Sequence, residues 1–377
     1  MSETTPLLPK LGRNLSKKYL TFIVVPSTIL VILLIYVGSI LINGSDDNNN
    51  FISNLPSFLV KPLQLRIYTN NIRFDNVYYP DKGEKSWTKH RSKQVINSID
   101  FHTSLGDANV VCLQEVLYHQ LGDILDGLND NSIQKSQNWT YYGIGRDDGI
   151  IAGEFSPILY KHHDWILLEN ETFWLSETPW KPSRGWDAAL ERIVTMVTLQ
   201  SRFNPLIKIN VFNTHFDHKG KLARKRSAQL IVDKMENYNN NPSFLCGDFN
   251  TEPSDQPYAV LTKAGFKDSR LVIPQDFSYG EESTFTGFDK DNEVKHSVID
   301  YIWSPYFTVS KDKDDDNDND FSISNYYSSD HHEYYKIIIK HFGILHNFFK
   351  GFYFSDHRPV VATYDISRTR LFGHEME

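Results

Sequence analysis

Acidic, amide and imidazole side chains recur in this chain at the ends of short apolar runs, where a sheet would expose its strand termini. Asn71 closes LRIYTNN, and Glu115 follows VVCLQ. GDFN (247–250) sets Asp248 and Asn250 two residues apart, and SDHRP (355–359) sets Asp356 and His357 just before VVATY. Residues two apart on an extended chain point to one side, so Asp248 and Asn250 address the same space. Asp300 interrupts VIDYIW, and His215 interrupts NVFNTHF. A carboxylate in an apolar run is costly unless something pairs with it. Several of these groups converging would make a hard-oxygen cation site beside imidazoles. That set suits Mg2+ or Mn2+, which take few carboxylates, keep waters and bind phosphate oxygens. The histidines are then free for acid–base and electrostatic work. Taken singly, His215 reads equally as a satisfied core histidine, and Asp300 as a buried acid bonded to backbone amides.

Elements that could position these residues alternate from Leu65 onward. LRIYTNN (65–71) alternates like a strand, and ANVVCLQE (108–115) is an apolar run of the kind buried on both faces. Further strands are expected over Pro157–Leu159, Ile193–Leu199, Leu206–Phe212, Ser243–Cys246, Val298–Trp303 and Val360–Tyr364. Helical spacing covers Ser92–Leu105 and Leu222–Met235. KIIIKHFGILHNFF (336–349) reads as strand-rich. KDKDDDNDND (311–320) lacks the Gly and the closing Glu of a calcium loop, so it reads as a solvated surface loop. His218, Arg224 and Arg226 read as solvated. Arg192 and Trp186 read either as pocket lining or, for Trp186, as core. Cys112 and Cys246 are favoured as two buried thiols over a disulfide.

The ordered motifs TNNIR (69–73), LQEV (113–116), NTHFDH (213–218), GDFN, IDYIW (299–303) and SDHRP resemble the endonuclease/exonuclease/phosphatase superfamily. That superfamily includes deoxyribonuclease I-like nucleases, inositol polyphosphate 5-phosphatases and neutral sphingomyelinases. The stretches GIGRDDG (143–149), GEFSPILY (153–160) and FWLSETPWKPSRGWDAALERI (173–193) are similar to a subgroup of small metal-dependent hydrolases. The resemblance implies an α/β fold: a four-layer sandwich of two packed, mostly antiparallel sheets flanked by helices. It implies hydrolysis of phosphate esters at one sandwich edge. It also implies roles: Glu115 as main metal ligand with Asn71, and Asp356 supporting that site or a second ion. Asp248 would activate or orient the attacking water, and Asn250 would position it. His357 would bind the scissile phosphate, oriented by Asp300. His215 would bind another phosphate oxygen, with Glu154 as its acidic partner. A carboxylate beside each ring would raise its pKa and keep it a cationic donor. A cation with imidazolium donors would stabilise the charge of in-line attack.

The chain has 377 residues, 40% hydrophobic and 23% charged, which excludes a wholly disordered or fibrous protein. Two cysteines exclude a disulfide framework. The net charge of −8 disfavours non-specific coating of nucleic acid. The charge is uneven: residues 1–43 carry Lys10, Arg13, Lys17 and Lys18 against Glu3, so the remainder is more acidic than the whole. Residues 20–42 hold no charged side chain and as a helix would span roughly 35 Å, enough for a bilayer core. The expected order is a cytosolic tail (1–19), a transmembrane helix (20–42), a tether (43–60) and a catalytic domain (61–370) with an acidic loop insert near 311–335. A cleaved signal peptide is the alternative for the apolar block. The positive-inside rule places residues 43–377 in a lumen or outside the cell. Asn43, Asn138 and Asn170 are then glycosylation candidates. ETTPLL in the tail resembles an acidic dileucine signal for endosomes or vacuoles. A monomer is expected. The favoured activity is a membrane-tethered phosphodiesterase or phosphatase for a small or lipid-linked ester. A lumenal nuclease and a non-catalytic binding module are the alternatives.

Overall fold

The computed structural model describes residues 61–104, 106, 108–130, 139–273, 277–292, 297–305, 324–327 and 333–370. The expected tail, membrane helix and tether lie outside these residues, as do Asn43, Asn138 and the acidic run 311–320. Among the described residues no helix is long and apolar enough to cross a membrane.

Strand β1 (Leu63–Asn71), helix α1 (Ser92–Thr103) and strand β2 (Ala108–Gln114) form a βαβ unit, with the strands parallel and Asn71 opposite Gln114. Helix α2 (Tyr118–Asp130) follows, then β3 (Trp139–Tyr142) and β4 (Ile158–Lys161). Next come β5 (Trp165–Trp174) and β6 (Ile193–Ser201). A second βαβ unit consists of β7 (Lys208–His215), α3 (Lys221–Asn237) and β8 (Ser243–Asp248), with His215 opposite Asp248. The chain continues through α4 (Gln256–Lys263), β9 (Lys267–Asp268), α5 (Ser269–Val272), β10 (Ser278–Gly280), β11 (Asp300–Ser304) and β12 (Ser324–Tyr327). It ends with β13 (Glu333–Ile344), the small hairpin β14 (Phe348–Phe349) and β15 (Phe352–Tyr353), and β16 (Val360–Arg370).

One sheet runs β10-β13-β16-β1-β2-β4-β3, with β12 on β13; the other runs β5-β6-β7-β8-β11-β9. Both are mixed, since β1–β2, β7–β8 and β10–β13 are parallel and the remaining pairs antiparallel. Side-chain alternation explains the layering. Ala108, Val110 and Cys112 of β2 face the seam between the sheets, while Val111 and Leu113 face α1 and α2. Every residue of β2 is therefore buried, which is why it reads as a continuous apolar run. In α3, Ala228, Ile231, Val232 and Met235 fall on one stripe against Phe212 and Leu245 of the second sheet. The order helix–sheet–sheet–helix follows. Cys112 and Cys246 are free, buried thiols in the seam.

Three local expectations need correction. The strand expected from Val298 starts at Asp300, because the amides of Ile299 and Asp300 are drawn to the Thr284 hydroxyl. The insert near 311–335 is not loop to its end, since β12 and the start of β13 pair antiparallel. Arg224 is not solvated: it is buried and donates to the Asp217 carbonyl at 2.8 Å.

Candidate active site

Both βαβ units deliver their strand ends to one edge of the sandwich. Asn71 ends β1, Glu115 follows β2, His215 ends β7 and Asp248 ends β8. Asp300 opens β11 directly opposite Asp248, and His357 lies just ahead of β16. The chain turns sharply here: Glu115 (φ 57°), Asn250 (φ 44°) and Arg73 (φ 59°) are in the left-handed region. Non-glycine residues adopt it at a cost, and such strain concentrates at functional sites.

The Asn71 amide joins the halves, donating to Glu115 Oε1 at 3.0 Å and Asp248 Oδ2 at 2.9 Å. Its oxygen accepts the Arg73 amide at 2.9 Å. Glu115 Oε2 accepts the Phe74 amide at 3.2 Å and lies 3.9 Å from the Arg73 guanidinium. Two imidazoles flank Asp248 Oδ2: His215 Nε2 at 3.4 Å and His357 Nε2 at 3.7 Å. Asp300 holds the far side of the His357 ring, with Nδ1 at 2.9 and 3.1 Å from its two oxygens. The Asn250 amide nitrogen is 3.0 Å from His215 Nε2 and donates to the Phe216 carbonyl.

The two rings differ in charge. Burial opposes charge on His357, but the Asp300 and Asp248 carboxylates overcome it and hold the ring well above its ordinary 6.5. Burial and the Arg192 guanidinium push His215 down to about 3. This corrects the expectation of a cationic His215 partnered by Glu154. Arg192 Nη1 stands 2.8 Å from His215 Nδ1, whereas Glu154 is 3.7 Å away and pairs with Arg146 at 2.6 Å. A guanidinium only donates, so Nδ1 accepts from Arg192. Burial lifts the Asp356 carboxyl to about 6, and Glu115 adds to the rise.

Sequence reading left some contributors unassigned. Arg73 sits inside TNNIR, but its reach to Glu115 depends on a left-handed backbone that no spacing reveals. Gln114 and Asn213 form a buried polar floor: Gln114 donates to Asn213 Oδ1 at 2.7 Å, and Asn213 donates to the Leu113 and Pro157 carbonyls at 2.8 Å. The signal was an amide inside each apolar run. Arg91 is fully buried and donates to the carbonyls of Ile72, Arg73, Phe74 and Phe354, tying TNNIR to the SDHRP loop.

The donor chemistry fits a divalent cation. Glu115, His215 and Asp248 offer atoms within 4.8 Å of one another, as do Asp248, Asp300 and His357. The first group brings two carboxylates together with a neutral imidazole, bridged by one neutral amide. Charge of that sign at that spacing calls for a cation. Asp356 belongs to neither group.

Comparison with known proteins agrees with this geometry. The model of the Endonuclease/Exonuclease/phosphatase family matches residues 71–357, and the chain belongs to that family. Its members are hydrolases acting on phosphate esters, generally dependent on divalent metal. A family structure from Bacteroides thetaiotaomicron is 28% identical, with a TM-score of 0.65 over 81% of this chain and 98% of that one. A mannosyl-6-phosphatase from the same organism is 29% identical, with a TM-score of 0.63 over 80% of this chain and 99% of that one. The probable RNA exonuclease NGL3 of Saccharomyces cerevisiae is 27% identical over 218 residues, 53% of this chain. The match spans only 40% of that relative's length.

Proposed function

We propose that this chain is a Mg2+- or Mn2+-dependent hydrolase of small phosphate esters. The observation that carries the reading is Asp248 between a cationic and a neutral imidazole, beside the Glu115–Asn71 pair. Glu115, Asp248 and Asn71 would hold the cation, with Asp356 behind. The ion would supply charge stabilisation at the phosphoryl oxygens. His357, held cationic by Asp300, donates from Nε2 to a non-bridging phosphate oxygen as charge grows there. Asp248 orients the attacking water and takes its proton, and Asn250 fixes that water's position. His215, neutral, lines the other side of Asp248 and holds the Asn250 amide in place. The water oxygen bonds to phosphorus as the ester bond breaks; the leaving alkoxide takes a proton from solvent, and Asp248 returns its own proton to solvent.

The likeness to a sugar phosphatase over nearly all of its chain supports a small monoester as substrate. RNA exonuclease activity is the second reading, supported by the yeast relatives. The apolar block 20–42 supports tethering to a membrane with the catalytic unit on the lumenal side, acting as a monomer. Asn170, exposed on edge strand β5, is open to a glycan there. A mobility shift on enzymatic deglycosylation tests that placement.

The test of function is the full chain with Mg2+ or Mn2+ against mannose 6-phosphate, bis-nitrophenyl phosphate and RNA. Phosphate release from the monoester, abolished by chelator, is expected. RNA degradation with no monoester turnover would install the second reading, and silence on all three would leave a binding module.

A further inference from the structure

Segment 175–192 leaves β5 and enters β6, ending beside His215. It is pinned along its length. Both Glu177 carboxylate oxygens accept the Trp186 amide, at 3.3 and 3.2 Å. A Cβ at Gly185 would stand 2.3 Å from the Leu175 carbonyl oxygen, so only glycine lets the strand end pack there. Asp187 accepts the Leu222 and Ala223 amides and so caps α3 from outside that helix. Asp217, two residues past His215, accepts the Ala189 and Leu190 amides. The segment ends at Arg192, which touches His215.

Trp186 sits at the centre of this pinned segment with φ 51°. A bulky aromatic residue in the left-handed region is an outlier that glycine would relieve. The indole is only partly buried and joins none of the apolar clusters. Among the described residues it stacks on no ring and its N–H meets no acceptor. The chain therefore holds a strained, uncommitted aromatic face on the segment that runs to Arg192 and His215.

We infer that Trp186 is a specificity residue, a platform on which the sugar ring of a carbohydrate phosphate lies while its phosphate occupies the site. This rests on the phosphate-ester reading above and names its substrate class. Aromatic faces take the C–H faces of pyranose rings, and exposed carboxylates accept their hydroxyls. The rim exposes Asp147, Asp148, Glu177 and Asp187 beside Lys181, Arg184, Lys219 and Lys221. That near-even mix offers acceptors and donors to the hydroxyls of a neutral ring.

The test compares mannose 6-phosphate with acyclic glycerol 3-phosphate on the full chain, for wild type, Trp186→Gly and Trp186→Phe. Trp186→Gly is expected to raise KM for the sugar phosphate about tenfold or more with kcat little changed, leaving the acyclic ester within about twofold. Trp186→Phe is expected to keep most of the affinity. The thermal midpoint of Trp186→Gly is expected to hold or rise, because a strained backbone is released. Equal losses on both esters, an unchanged KM, or a lowered midpoint in Trp186→Gly would overturn the inference. Wild-type silence on both esters would instead overturn the phosphate-ester reading, which keeps the two failures apart.

Discussion

His215 and His357 stand on opposite sides of one carboxylate, at 3.4 and 3.7 Å from Asp248 Oδ2, yet they carry different charge. What separates them is the group behind each ring. Behind His357 is the carboxylate of Asp300; behind His215 is the guanidinium of Arg192. A ring between two carboxylates is held as a cation, and a buried ring facing a guanidinium is held neutral. The same side chain at nearly the same distance from Asp248 thus becomes a fixed charge in one place and an oriented dipole in the other.

Breaking the cationic side gives the largest effect. His357→Ala is expected to lower kcat/KM by about 10³-fold with the fold intact, since one fixed donor to developing charge is worth roughly 10²–10³ in rate. Circular dichroism and a steady-state assay check it. Asp300→Asn keeps the ring but removes the charge behind it. Turnover is expected to fall about 10²-fold, with the alkaline limb of the pH–rate profile moved to lower pH. A wild-type profile in that variant would mean that Asp300 does not set the ring's charge.

The neutral side is sharpened by Arg192→Met. Without the guanidinium His215 gains a proton more readily, and the loss of activity is expected to be about tenfold, growing toward acid pH. The smallest effect concerns stability, measured in chelator. The folded pKa of His215 lies near 3, below the ordinary 6.5, so the unfolded ring takes up its proton first. Stability is then lost as pH falls from 6.5 toward 3, and His215→Gln should flatten that decline between pH 6.5 and 5. His357 has the opposite sign. Its raised pKa contributes stability that is complete below 6.5 and fades as pH rises through the folded value, so His357→Gln should lose most at acid pH.

Residue type and order alone made much of this legible. Asn71, Glu115, Asp248, Asn250 and His357 stand out as polar groups at the edges of apolar runs, where sheets expose chemistry, and Asp300 stands out as an acid inside one. The separate strands and helices of the βαβ units are legible as apolar runs and helical spacing. What stayed hidden depended on three-dimensional neighbours. Glu154 and Arg192 both lie near His215, and only geometry shows that the guanidinium takes Nδ1. Arg224 looked like one charge among several on an exposed helix, but its head reaches back to the Asp217 carbonyl. The sense of strand pairing was also hidden, because the seam faces of parallel and antiparallel strands read alike.

Gln114 and Asn213 fasten one sheet to the other beneath the catalytic edge. Shearing the sandwich by an ångström would leave those amides without acceptors where water cannot replace them. The halves must therefore move as one body during turnover.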